Sequence, residues 1–148
     1  MVIHNRVINL NEAKALLHLM YEYARVTKGE QVRPLSILKR IQTHEAIVIA
    51  SYVDGIPLAY IMIEPDKEAA FIQQVYSKDR KCTDSIWNYA CKWAEKEGFE
   101  RVKAVTYRRP KGFEKWGLKV EGYLIGKELS NGRQSKEQEQ EWTCMACW

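Results

Sequence analysis

Few residues in this chain have the types and spacing that chemistry needs. Cys144-Met145-Ala146-Cys147 has the C-x-x-C spacing of a metal knuckle or a redox pair. A zinc site takes four ligands, and His4, His18 and His44 are scattered far from this pair. A thioredoxin-like pair would open a helix after a strand, and this one does not. Two free thiols near the chain end are the plain alternative. Over residues 101–119, seven basic side chains stand against one acid, Glu114, a local charge of +6. Such a stretch meets an anion (a nucleotide cofactor, nucleic acid or an acidic partner) or is a solvated basic face. Cys82 lies among basic residues, where a thiol pKa can fall, but no histidine is near it in sequence. No Ser/His/Asp or Cys/His constellation is legible.

The elements that position these residues belong to one domain. The chain has 148 residues, 46% hydrophobic and 28% charged, with 8 Gly, 4 Pro and 4 Cys. Those values exclude disorder over most of the length, a collagen-like repeat and a disulfide scaffold. No run approaches the roughly 20 apolar residues of a membrane helix. The opening residues lack the charged-then-apolar order of a signal peptide, so a cytoplasmic protein with reduced thiols is expected.

Residues 9–28 read as a helix capped by Asn9 or Asn11, with Leu16, Leu17, Met20 and Ala24 at helical spacing. A shorter helix fits residues 35–43. Strands are expected at 46–53, 57–63 and 70–76, the first two joined by the turn Asp54-Gly55. Residues 77–82 read as a polar, basic loop. A helix over 83–97, capped by Thr83 or Asp84 and ended by Gly98, would turn Ile86, Ala90, Trp93 and Ala94 to the core. Trp87 and Tyr89 would fill gaps beside it. A strand at 102–107 makes this a right-handed βαβ crossover. One helical turn at 112–116 and a last strand at 120–129 complete a domain of residues 1–129. Residues 130–148 form a polar tail or docking arm.

The Asp54-Gly55 hairpin, the unit from Val75 to Gly98, and the run Gly112-Phe113-Glu114-Lys115-Trp116-Gly117-Leu118 sit in an order that resembles the GNAT (GCN5-related N-acetyltransferase) family. The resemblance covers residues 7–129, and the last run is similar to the family's "YEKxGF" ending. Tyr107-Arg108-Arg109-Pro110-Lys111-Gly112-Phe113, followed by Glu121-Gly122-Tyr123, is similar to short GNAT-like proteins of tailed bacteriophages. Some of those are acetyltransferases and others internal virion proteins. The fold this implies is α/β: a mixed sheet with an N-terminal antiparallel meander, flanking helices and a βαβ unit.

The resemblance also implies a site. Acetyl-CoA would lie against the strand end at Val75, its pyrophosphate cradled by Arg80, Lys81, Cys82, Thr83, Asp84 and Ser85, where backbone N–H groups and a helix N-terminus favour an anion. Thr83 and Ser85 stand where the family has small residues. Asp84 would put a carboxylate in the first helical turn, competing with the phosphates. Phe113 replaces the family's proton-donating Tyr, and Thr106 its Asn, so Tyr107 is the nearest phenol for a general acid. Glu64 is the carboxylate for a general base, and a solvated strand-end glutamate is its bland alternative.

Two functions follow from the likeness. One is an N-acyltransferase moving acetyl from acetyl-CoA to an amine acceptor. The other is a non-catalytic or virion-associated binding module that keeps only the fold, in the host cytoplasm or the virion. Nucleic-acid binding lacks the surface aromatics and recognition motif it requires. Trp142 and Trp148, flanking the terminal cysteines, would dock on the chain's own domain, on another subunit or on a protein partner.

Overall fold

The computed structural model describes residues 1–27, 33–105, 119–121 and 124–129. Expectations for Tyr107, the turn at 112–116, the "YEKxGF"-like run and the tail lie outside these residues. The three β-rich runs form the expected meander. They are β2 (Ile47–Val53), β3 (Ile56–Asp66) and β4 (Ala69–Ser77), paired antiparallel. Asp54 and Gly55 turn the first hairpin, both at positive φ, as a tight hairpin needs. β3 runs on to Asp66, past the expected end at 63, because Pro65 and Asp66 stay in register with Ala70 and Ala69.

A strand absent from the sequence reading, β1 (His4–Ile8), pairs antiparallel with β2 at the edge of the sheet. Its side chains alternate between two polar duties rather than between apolar and polar. Asn5 donates to Ser85 Oγ at 2.7 Å and accepts from Ser51. Arg6 reaches the other way, to Glu12 at 2.6 Å and over the Tyr52 ring at 4.0 Å. Adjacent strand residues point to opposite faces, so these bonds place α4 on one face and α1 on the other.

The expected long first helix is two pieces, α1 (Leu10–Lys14) and α2 (Leu17–Thr27). Asn9 caps α1 in a reciprocal box with Glu12. The break at Ala15 and Leu16 lets Ala13, Leu16, Leu19, Met20 and Tyr23 all reach the core. A straight helix would have turned part of that wide apolar set to water, as it would with the expected Leu17 and Ala24. α3 (Pro34–Gln42) follows, with Pro34 in its first turn and Ile37 buried.

On the other face lies α4 (Arg80–Lys96), which crosses from β4 to the parallel strand β5 (Arg101–Val105). Cys82, Ile86, Ala90 and Ala94 form one i,i+4 row, all buried. Trp87 lies fully inside, whereas the expected core residue Trp93 is only partly buried and stacks on Phe99. Gly98 at φ 92° closes the helix, with Gly98 N–H on Glu95 and Phe99 N–H on Ala94. That is the Schellman arrangement, which needs a left-handed residue.

The expected last strand is two, β6 (Lys119–Glu121) and β7 (Leu124–Glu128), paired antiparallel. The sheet order is β1-β2-β3-β4-β5-β7-β6. No helix among the described residues is long and apolar enough to cross a membrane. Replacing the first cap, Asn9→Ala, should lower unfolding free energy in a urea titration by about 1 kcal/mol, the usual worth of such a cap.

Candidate functional site

β4 and β5 are hydrogen-bonded only from the pair Ala69/Arg101 to the pair Ile72/Ala104. β4 then continues to Ser77 with no β5 partner among the described residues. The parting coincides with a β-bulge. Met62 faces Gln74 and Ile63 faces Ile72, so Gln73 is the extra residue. A bulge sharpens the local twist and re-aims the side chains beyond it. Here it turns Ile72 toward α4 but Gln74 and Tyr76 toward α2. An open crevice between the carboxyl ends of two parallel strands is where α/β sheets hold ligands.

Val75 lies on this open stretch, partly buried against the core. Lys78 N–H donates to Leu58 O across β3 at 2.9 Å. Alternation from that bond directs the N–H and C=O of Val75 and Ser77 to the open side, a row that an extended ligand can pair with.

The residues just beyond differ from the sequence reading. The expected loop at 77–82 is shorter, because α4 begins at Arg80 rather than Thr83. Asp79, not Thr83 or Asp84, is its N-cap, and its carboxylate accepts from Lys81 N–H at 2.8 Å. Ser77 secures this corner by accepting from Asp79 N–H at 3.1 Å and donating to the Asp79 carbonyl. A Ser-x-Asp corner builds a compact turn, so the helix needs no further loop.

Four assignments move with the helix start. Cys82 is not a loop thiol: it faces the core, and burial pushes its pKa up rather than down. Thr83 lies in the second turn, its hydroxyl on the Asp79 carbonyl at 3.4 Å. Asp84 is likewise past the first turn, so the carboxylate at the helix end belongs to Asp79. Ser85 points inward to Asn5 and does not narrow the helix end. Arg80 and Lys81 are exposed there, beside the first-turn amides that every helix leaves without internal partners.

Glu64 stands opposite Phe71, one step before the parting, on the α2–α3 side of the sheet. Its Oε1 meets Arg40 at 2.8 Å. Burial raises its pKa, Arg40 pulls it back and the Glu45 charge adds to the rise; the net direction is upward. A carboxylate held with a raised pKa can take a proton near neutrality.

A further pair escaped the sequence reading. Tyr76, on the open part of β4, donates to Glu22 Oε2 at 2.8 Å, and Lys78 meets the other carboxylate oxygen at 3.2 Å. The Tyr76 hydrogen bond, then Lys78, lowers the Glu22 pKa, and the same bond raises that of Tyr76. Tyr23 and Tyr60 pack their rings against Tyr76. Only the laying of α2 over β4 brings Glu22 to Tyr76, and the helical spacing of the sequence carries no sign of it.

This is the fold of GNAT N-acetyltransferases, as comparison with solved structures shows. The chain superposes on the PaiA N-acetyltransferase from Thermoplasma acidophilum in complex with coenzyme A, with TM-score 0.65 and 16% identity over 86% of this chain and 99% of that one. A GNAT family acetyltransferase from Brucella melitensis in complex with acetyl-CoA gives TM-score 0.72 and 14% identity, covering 86% and 88%. The ribosomal-protein-S18-alanine N-acetyltransferase from Escherichia coli gives TM-score 0.73 and 8% identity, covering 91% and 97%. No protein-family model matches the chain, and no curated protein matches it by sequence.

The helix-end assignment has a direct check. Asp79→Ala should cost about 1 kcal/mol of stability, whereas Asp79→Asn, which keeps a capping acceptor, should cost only a few tenths. Equal losses in urea titrations of the two variants would show that Asp79 is not the cap.

Proposed function

We propose that the protein is an N-acyltransferase that moves acetyl from acetyl-CoA to an amine. The observation that carries this reading is the end of the β4–β5 ladder at Ile72/Ala104 among the described residues, with the N-terminus of α4 at the end of β4. Acetyl-CoA would supply an activated thioester and an anionic pyrophosphate. The strand edge at Val75 and Ser77 suits the amides of an extended pantetheine arm. The first-turn amides of α4, with Arg80 and Lys81, suit the pyrophosphate; Cys82, Thr83, Asp84 and Ser85 contribute backbone and helix rather than side chains.

In the transfer, the amine nitrogen bonds to the carbonyl carbon, the carbon–sulfur bond breaks and the amine loses a proton. Glu64 is the base for that proton, and Tyr107 is the phenol assigned to protonate the leaving thiolate. Glu64→Gln should then lower kcat/KM by about 10²–10⁴-fold, the usual worth of a positioned base. The base acts only when deprotonated. With its pKa raised, wild-type activity should fall as pH falls through a value above the ordinary carboxylate range, and the variant should lose that limb.

One observation favours a second reading, a fold relative that keeps the architecture without catalysing transfer. The Asp79 carboxylate already occupies the helix end where a phosphate would sit. Acetyl-CoA titration by calorimetry or thermal shift separates the two. A ligand bound only by the folded state should add about 2.7 kcal/mol at a hundredfold excess over its dissociation constant. Asp79→Asn should tighten binding by about two- to fivefold through removal of a like charge at the helix end. No stabilisation at millimolar acetyl-CoA, in either protein, would overturn the acyltransferase reading.

A further inference from the structure

An apolar groove of about 420 Å³ lies at one end of the sheet, well away from the crevice. Val7, Ile8, Leu10, Ile41, Ala46 and Ile47 form its walls, and Asn9, Gln42 and His44 also line it. Its volume falls among those of pockets that take organic ring systems, about 300–1,000 Å³. Val7 is 41% exposed beside it, on the face that α4 covers elsewhere. A groove of this kind on an edge strand leaves both apolar surface and an open strand edge uncovered.

The chain supplies an occupant. Residues 130–141 contain no apolar side chain, and Trp142, Cys144, Met145, Ala146, Cys147 and Trp148 then follow with only Thr143 between them. That is a polar spacer carrying an aromatic end. The spacer starts at the right place: Leu129 N–H donates to Glu100 O, and Glu100 N–H to Glu68 O. Those bonds put the start of the spacer at the same end of the sheet as the β3–β4 turn, the α3–β2 connection and the groove. From β7 to β1 the sheet order spans five strand spacings, about 24 Å. The thirteen residues from Leu129 to Trp142 can extend about 43 Å. The reach is ample without unfolding any described element.

We propose that the chain's own Trp142–Trp148 end seats in this groove, as an intramolecular latch that covers β1 and the α3–β2 corner. The tethered end needs no second molecule, and its local concentration at any surface within reach is already in the millimolar range. A modest apolar contact therefore suffices to keep it seated.

The test uses the full chain with a single tail thiol, Cys147→Ser, leaving Cys144. Cys82 and Cys91 are buried and do not compete. Gln42→Cys places a partner thiol at the groove, on the exposed end of α3. Lys92→Cys places one on the exposed side of α4, nearer the root of the tail, so tethering alone favours it. Under a glutathione redox buffer, the intrachain 42–144 disulfide should form about tenfold faster than the 92–144 disulfide, against the order that tether length alone would set. Adding Trp142→Ala and Trp148→Ala should remove that advantage, and Val7→Asp, at an already exposed position, should reduce it. Equal or reversed rates with both tryptophans present would overturn the latch. Disulfides found only between chains, by non-reducing mass spectrometry, would overturn it in favour of a second copy as host.

Discussion

The site depends on one inserted residue, Gln73. Were Gln73 to take a regular place in the ladder instead of bulging, alternation along β4 would carry both Gln74 and Tyr76 to the side of α4. With the bulge, Gln74 is buried on the α2 side and accepts from Tyr60 at 2.8 Å. Burial holds the Tyr60 phenol protonated far above its ordinary range, so it is a dependable donor. A buried amide oxygen left without that donor would cost about 1–3 kcal/mol. The hydrogen bond and the bulge therefore fix one another. Among the described residues the ladder to β5 ends at the same level, leaving the backbone of β4 beyond it without a β5 partner there.

The same bulge determines which helix serves which side of the crevice. Past it, Tyr76 meets Glu22 on α2, while Val75 leans on the α4 side of the core. One side thus carries tyrosine rings and the Glu22–Lys78 ion pair, and the other a helix end that combines Asp79 with Arg80 and Lys81.

What the sequence makes legible is local. Asp54-Gly55 and Gly98 stand where the chain must adopt positive φ, and the β-branched runs between them fix the meander and the crossover. The features that escape are those with a tertiary cause. β1 hides because its two faces carry Asn5 and Arg6, each satisfied by a partner distant in the chain. The split between α1 and α2 hides because a run such as Ala15-Leu16-Leu17 continues a helix as readily as it breaks one. The start of α4 hides because Asp79 competes with Thr83 and Asp84 as a cap, and only the Ser77 bonds decide for it. Moving that start by one turn is what takes Cys82 out of the loop and into the buried row of the helix.

The conflict between cap and cofactor can be weighed by magnitude. Asp79 contributes about 1 kcal/mol as an N-cap, and a tenfold change in affinity corresponds to about 1.4 kcal/mol. Displacing the carboxylate from Lys81 N–H would therefore weaken an anion by less than about tenfold. A pyrophosphate would gain the same amide and could also meet Arg80 and Lys81 through charge-assisted bonds, which are roughly twice as strong as neutral ones. Asp79 at the helix end thus tunes affinity for an anion and does not by its own energy forbid one. By these magnitudes the strand edge and the proton-handling groups weigh more in the acyltransferase reading than the Asp79 carboxylate does.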